Sequence, residues 1–230
     1  MIIALFVAVL ITSNIASSAK IVDLGFSVFG IRLAFDGGTL LFPLAYIIGS
    51  ILTEVYGFKV ARRAIWTGFI ILAASALFFS LLGFLPGEAL WETYAGSAAY
   101  NAILGGMSTG AIVLASLSAY LAGKFLNTIV HSAMKVFMKG GKTLFMLWLR
   151  VISSSLVGEL LDSFVFVSVA TLTGVFPREL FVTLIITNYI LKISIEVILS
   201  PFVCLVARAL KKAEGLDVID KGIKYNPFGF

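Results

Sequence analysis

Six apolar stretches, each about as long as a bilayer is thick, constrain this chain more than any other feature. A hydrocarbon core of ~30 Å needs ~20 mostly apolar residues in a spanning helix. Such stretches run from Met1 to about Ala19, from about Thr39 to Gly57, from Ala64 to Phe84, from about Tyr100 to Leu121, from Thr143 to about Leu172 and from Leu180 to about Leu210. Hydrocarbon offers the backbone no water, so each stretch must satisfy its own hydrogen bonds as a helix. Composition agrees: 60% of the 230 residues are hydrophobic, 13% are charged and mean hydropathy is +1.07. Such values exclude a cytosolic enzyme, a disordered protein and a disulfide-stapled secreted module. A single cysteine, Cys204, and a single histidine, His131, exclude an internal disulfide, a multi-thiolate metal centre and a His-pair site. No cofactor and no metal is called for. The expected fold is an all-α membrane protein: one domain of six transmembrane helices over residues 1–210, then a cytoplasmic tail over 211–230.

Lys and Arg placement sets the orientation. Lys59, Arg62 and Arg63 follow the second stretch, Lys124, Lys135, Lys139 and Lys142 follow the fourth, and Lys211, Lys212, Lys221 and Lys224 lie in the tail. The alternate loops carry few positive charges, and the one after the third stretch holds only Glu88 and Glu92. Both termini are therefore expected in the cytoplasm, and the pI of 9.4 reads as a topology signature. A nucleic-acid patch explains it less well, because the basic residues are split among three segments. Ser17-Ser18-Ala19 forms a passable cleavage site, but no Lys or Arg precedes the apolar run, so the first stretch is read as a retained span. Period-two spacing of Leu24, Phe26, Val28, Ile31, Leu33 and Phe35 around Gly30 predicts a short outer-face hairpin. Phe125, Ile129, Ala133 and Phe137, with Lys124, Lys135 and Lys139 nearby, predict an amphipathic interfacial helix.

Ionisable residues inside the spans carry the functional information. Glu54, Arg150, Glu159, Asp162, Lys192 and Glu196 lie there. Unpaired, they cost on the order of 15 kcal/mol together, and such residues face a cavity more often than lipid. Snorkelling at helix ends accounts for Arg150 and Glu54 as well as a site does; it does not account for the other four. At 100° per residue Ser155, Glu159, Asp162 and Phe166 share one stripe. Asn188, Lys192 and Glu196 recur at intervals of four, Tyr46, Ser50 and Thr53/Glu54 line one side of the second span, and Ser13, Asn14, Ser17 and Ser18 cluster in the first. The third span has almost no polar residues and is the expected lipid-facing helix. Convergence of the four stripes would wall a polar lumen suited to a small, neutral-to-cationic, hydrogen-bonding solute. Paired carboxylates suit a ligand with adjacent N–H donors, and Phe42, Tyr46, Trp148 and Phe166 could stack on a flat ring. A structural salt-bridge network of Lys192 with Glu159 or Asp162 is the competing reading, compatible with the first.

Other motifs carry less. Gly106-Met107-Ser108-Thr109-Gly110 matches G-x-S-x-G, but it sits in mid-span without a histidine base, so Ala102, Gly106 and Gly110 read better as small-residue helix packing. Gly140-Gly141-Lys142-Thr143 lacks the first glycine of a P-loop, where Val136 stands. Pro43 and Pro201 mark either broken helices at a transport site or ordinary kinks.

Four segments resemble the queuosine precursor transporter family, the vitamin-uptake-transporter type. They are Ser13-Asn14-Ile15-Ala16 to Lys20, Phe42-Pro43-Leu44-Ala45-Tyr46 through Leu52-Thr53-Glu54-Val55-Tyr56-Gly57, Trp148-Leu149-Arg150 through Gly158-Glu159 and Asp162-Ser163, and Tyr189-Ile190-Leu191-Lys192 with Glu196 and Pro201. The resemblance implies a multi-pass protein of the inner membrane, with a fold similar to the substrate-binding components of energy-coupling-factor transporters. It implies import of 7-deazaguanine-type bases or queuine for tRNA modification. By this analogy Glu159 and Asp162 read the N–H edge of the base, while Arg150, Lys192 and Glu196 set the charge of the site. Ser50 departs from the pattern, which calls for an acidic residue there.

The expectation is thus a transporter rather than an enzyme. Its site residues are Glu159, Asp162, Ser155, Lys192, Glu196, Asn188, Arg150, Glu54, Tyr46, Asn14 and Phe166, between the first, second, fifth and sixth spans. Its partners are a small 7-deazapurine substrate and the lipid bilayer, with no nucleic acid and with a homodimer as one assembly open to it. Two alternatives remain: a solute-capturing subunit for another vitamin-like molecule, energised by a separate ATPase, and a non-transporting assembly protein.

Overall fold

The structure, a computed structural model, describes residues 2–28, 31–108, 110–141 and 143–228. Met1, Gly30 of the hairpin turn, Thr109 of the glycine-serine pattern and Lys142 of the loop and P-loop-like run lie outside the described residues. The elements in order are α1 (Ile2–Ala19), β1 (Ile21–Val28), β2 (Ile31–Asp36), a 3-10 turn (Gly37–Leu40), α2 (Phe42–Phe84), α3 (Ala89–Tyr94), α4 (Gly96–Ser108), α5 (Ala111–Phe137), α6 (Leu144–Leu172), a second 3-10 turn (Arg178–Leu180) and α7 (Phe181–Glu214). Among the described residues five helical runs are long and apolar enough to cross a bilayer: α1, α2, Gly96–Phe137, α6 and Arg178–Glu214. The hairpin forms as its alternation predicts, with Ile21 opposite Asp36, Val28 opposite Ile31 and an irregularity between Asp23 and Ser27.

The second and third predicted stretches are one helical run of 43 residues. At 1.5 Å per residue an unbroken helix of that length would measure about 64 Å, twice a bilayer core. Gly57 divides it: φ 80° and ψ 176° put this residue where a side chain is strained, and residues 42–56 and 58–84 are separate helical segments. The chain's C-terminal segment is spliced into the break. The Val218 N–H donates to the Val55 carbonyl at 3.3 Å, and the Phe58 N–H donates to Asp220 Oδ2 at 2.8 Å. A side chain on Gly57 would sit 2.7 Å from Val218. Pro43 occupies the first turn of α2, where its missing N–H leaves no hydrogen bond unmade, and α7 continues through Pro201. The broken helix is therefore at a glycine, not at either proline.

The interfacial-helix expectation is overturned. Lys124, His131 and Lys135 are not in a loop; α5 runs on to Phe137 and buries all three. Lys124, Asn127, Thr128, His131 and Lys135 recur at helical spacing, and this stripe faces the protein interior while Phe137 is exposed. Interior polar partners keep the helix in the bundle where an amphipathic pattern alone suggested the membrane surface.

Three apolar clusters hold the bundle. One joins α1, α2 and α5 through Phe6, Leu10, Tyr46, Phe58, Ile65 and Tyr120. Another joins the far end of α2 with α4 to α7 through Leu72, Met107, Ile112, Phe166 and Leu184. The third joins residues 42–56 to α6 and α7 through Ile51, Val55, Val151 and Val203. Large apolar side chains also cover the outside, among them Ile70, Leu77 and Phe78 of α2, Leu160 and Phe164 of α6 and Ile198 and Phe202 of α7. Polar groups inside and apolar groups outside is the arrangement a lipid solvent selects.

Candidate functional site

Two glycines bring α5 and α6 into close contact. A Cβ on Gly123 would meet the Gly158 carbonyl oxygen at 2.7 Å and the Tyr46 hydroxyl at 2.6 Å, and one on Gly158 would meet the Gly123 carbonyl oxygen at 2.9 Å. Only backbone fits there, so Asp162 and Tyr46 are carried to the same spot. Gly49 does the same for a lysine: its face of α2 is filled by the Lys124 side chain, 2.3 Å from where a Cβ would be. Of the small residues expected to pack, Gly106 alone does so, its N–H donating to Ser18 Oγ at 3.0 Å; Ala102 is exposed, and Gly110 turns the chain at φ 74°.

Around this crossing lies a buried polar chamber. Lys192 Nζ is 2.5 Å from Asp162 Oδ2, 3.3 Å from Glu159 Oε2 and 4.9 Å from the centre of the Phe42 ring. The salt-bridge pairs foreseen for Lys192 therefore both form. Lys124 Nζ donates to the carbonyls of Ala45 and Tyr46 at 3.2 and 3.1 Å and stands 4.1 Å above the Tyr46 ring. Asp36, at the end of β2, accepts from Ser17, from Thr39 Oγ1 at 2.7 Å, from the Gly38 N–H at 3.1 Å and from Asn188 Nδ2 at 2.8 Å. Thus one carboxylate ties the hairpin root to α1 and α7. Ser17, Asp36, Thr39, Phe42, Asp162, Phe166 and Lys192 line a hollow of about 10 Å³. That is room for no more than one water, so the chamber is closed.

Many of its polar atoms have no hydrogen-bond partner in the protein. They include both oxygens of Glu159 and of Glu196, Asp162 Oδ1, Ser155 Oγ, the Tyr46 hydroxyl and Asn188 Oδ1, with the Asn127 side chain beside Gly158. An orphaned buried polar group costs about 1–3 kcal/mol, so a cluster of them calls for a ligand, water or a proton. Most are acceptors.

Glu54 and Arg150 belong elsewhere. Arg150 grips Glu54 through Nη2 to Oε1 at 2.8 Å and Nε to Oε2 at 3.1 Å. His131 Nε2 lies 2.8 Å from Oε2 and Lys211 Nζ 2.5 Å from Oε1. Lys135 bonds the Glu54 carbonyl at 2.5 Å, the Val218 carbonyl at 2.7 Å and Asp217 at 2.7 Å. Burial opposes the charge of Asp217, but hydrogen bonds from Lys135 and Lys211 outweigh it and hold that carboxyl below the usual range. Every acceptor of Glu54 is thus occupied, the opposite of Glu159. Eight residues of α2 separate Tyr46 from Glu54, about 12 Å of helix, so the two clusters are distinct layers on shared helices. A larger hollow of about 450 Å³, lined by Arg150, Arg208, Lys211, Lys212 and Asp217, opens beside the Glu54 layer.

Of the predicted site residues, the structure brings together Asp162, Glu159, Lys192, Glu196, Ser155, Asn188, Tyr46 and Phe166. Asn14 is buried on α1, its amide donating to the Leu10 carbonyl at 2.9 Å. Trp148 is remote; its indole donates to Ser200 at 2.8 Å and it stacks on Phe145. Sequence reasoning missed Asp36 and Lys124. The spacing of Lys124, Asn127, Thr128 and His131 was a fifth polar-stripe signal that could have found the lysine; Asp36 sits in a hairpin, where nothing marks it. Among the described residues no group of three or more His, Cys, Asp or Glu is arranged to hold a metal ion.

Comparison with known proteins places the chain. Residues 36–206 match the family described as "Putative vitamin uptake transporter". The chain belongs to this family. The matched residues begin at Asp36 and contain Lys124, Glu159, Asp162, Lys192 and Glu196; Lys211, Asp217 and the tail lie beyond them. A protein of Bacillus subtilis (strain 168) named "Probable queuosine precursor transporter" is 29% identical over 165 residues, 72% of this chain and 68% of that one. A protein of Haemophilus influenzae (strain ATCC 51907 / DSM 11121 / KW20 / Rd) with the same name is 25% identical over 164 residues, 70% of this chain and 63% of its own length. No solved structure matches. Family and helices together make this a multi-pass membrane transporter of a small molecule.

Proposed function

We propose that the protein imports a queuosine precursor, a 7-deazaguanine-type base or queuine, across the inner membrane for tRNA modification. The observation that carries the reading is the closed chamber of unpartnered acceptors around Glu159, Asp162 and Glu196 in a chain similar to two proteins named for that cargo. Glu159 and Asp162 take the adjacent N–H donors of the base, Phe42 and Phe166 flank its plane, and Lys192 holds the carboxylates apart until the ligand arrives. Six crossings follow if the two segments of α2 each traverse, with both chain ends and the Glu54 layer on the cytoplasmic face; the basic residues at the Gly57 break and in the tail support that orientation. A likeness to the substrate-binding components of energy-coupling-factor transporters remains part of this reading, and so does assembly as a homodimer.

Uptake of labelled base into cells lacking their own importer tests it. Glu159→Gln and Asp162→Asn should each abolish uptake while inserting normally; full activity in both removes the chamber from the mechanism. Uptake by liposomes containing this chain alone distinguishes a self-sufficient carrier from a capture subunit that needs an ATPase.

A further inference from the structure

The chamber's charges do not balance. Four carboxyl groups, Asp36, Glu159, Asp162 and Glu196, share it with two amines, Lys124 and Lys192, and all six are buried. Two of the carboxylates are well held: Asp36 by its four donors and Asp162 by Lys192 at 2.5 Å. The other two are not. Neither oxygen of Glu159 or of Glu196 accepts a hydrogen bond, Glu159 has only the ion pair at 3.3 Å to a lysine that Asp162 holds at 2.5 Å, and the two carboxyl groups lie against one another with Ser155 beside them. Tyr46 faces them from α2, Lys124 from α5, Asp162 from α6 and Lys192 from α7, with Tyr189 near Glu159. Lys192 is already given to Asp162 and Lys124 to two backbone carbonyls. Glu159 and Glu196 are both fully buried, and the hollow beside them, lined by Asp162 and Lys192, holds only about 10 Å³, so neither carboxyl group is hydrated as it would be in bulk water. Adjacent carboxyl groups in a low-dielectric site do not both ionise; one proton between them relieves the repulsion.

We propose that Glu159 and Glu196 share a proton in the closed, empty chamber and release it when the base enters, so that ligand binding is proton-linked. The inference rests on the function proposed above and adds the exchange. A neutral planar base presenting adjacent N–H donors fits it: the carboxylic O–H bond breaks, its proton passes to solvent, and a ligand N–H becomes the donor to the freed carboxylate. A ligand ammonium group or a sodium ion would supply the missing charge differently, and the experiment separates them.

Purified full-length protein in detergent is titrated calorimetrically with 7-deazaguanine from about pH 6 to about pH 8, in two buffers of different ionisation enthalpy and in sodium or potassium salt. The expected result is release of about one proton per base bound, affinity tightening by up to about tenfold per pH unit, and no sodium requirement. Glu196→Gln should bind with no proton release and no pH slope. Equal heats in both buffers with pH-independent affinity overturn the proton exchange and leave the site reading standing, as does binding that requires sodium. Absence of any binding overturns both. Should Glu196→Gln fail to insert, the proton count of the unaltered protein decides alone.

Discussion

Glu54 and Glu159 are both buried carboxylates in helices, and their surroundings predict opposite behaviour on substitution. Arg150, His131 and Lys211 converge on Glu54, so Glu54→Gln strands buried cations. Breaking such a cluster costs about 3–5 kcal/mol. Glu159 accepts no hydrogen bond and shares Lys192, at 3.3 Å, with Asp162, which holds that lysine at 2.5 Å, so Glu159→Gln should destabilise the fold much less than Glu54→Gln while removing uptake. Unfolding in detergent measures both, and equal destabilisation would erase the division into a structural layer and a binding layer. Gly49 offers a second residue-scale test. Gly49→Ala pushes Lys124 off two carbonyls and the Tyr46 ring, a loss of about 1.5–3 kcal/mol for a charged donor. In a Lys124→Met background the same alanine should cost far less, and a double-mutant cycle reads the difference.

Among the elements, the α5–α6 crossing and the C-terminal segment decide the most. Gly158→Ala places a methyl group 2.6 Å from Asn127 Cβ and 2.9 Å from the Gly123 carbonyl, so overpacking of about 1–3 kcal/mol should lower the unfolding temperature and, by parting α5 from α6, weaken base binding too. The tail, docked by Asp217 and Asp220 against Lys135, Lys211, Ser132 and the Phe58 N–H, closes the gap at Gly57. Asp217 is held below its ordinary value, so its contribution is complete above about pH 3.9 and is lost as pH falls through the lowered value. Tail docking should therefore be constant from neutral pH down to about pH 4.5 and weaken only in stronger acid. Trp66 reports it, since its indole donates to the Pro227 carbonyl at 2.8 Å and its ring meets Phe228 at 5.5 Å. A fluorescence change centred near neutrality would contradict the assignment. The helices themselves were legible because apolar runs of bilayer length admit little else, and the hairpin because its alternation is strict. The reach of α5 was not: Lys124 and Lys135 look like topogenic surface charges until α2 and α6 are seen to bury them.

At the scale of the molecule, a closed chamber between apolar clusters implies that binding must open it. A base held inside should stabilise the fold by about 2.7 kcal/mol at one hundred times its dissociation constant, visible as a thermal shift that Asp162→Asn removes. The solvent of this protein, its helices and the stripe Ser155, Glu159, Asp162 and Phe166 could be read from the residues alone, because hydropathy and the helical repeat are local properties of the chain. It took the packed helices to show that Glu54 and Arg150 form a lock remote from Lys192, that Lys124 and Asp36 enter the chamber, and that Glu159 and Glu196 meet with no hydrogen bond donated to either. Which charge faces which is set by glycines that let particular helices touch, a property of pairs of segments far apart in the chain.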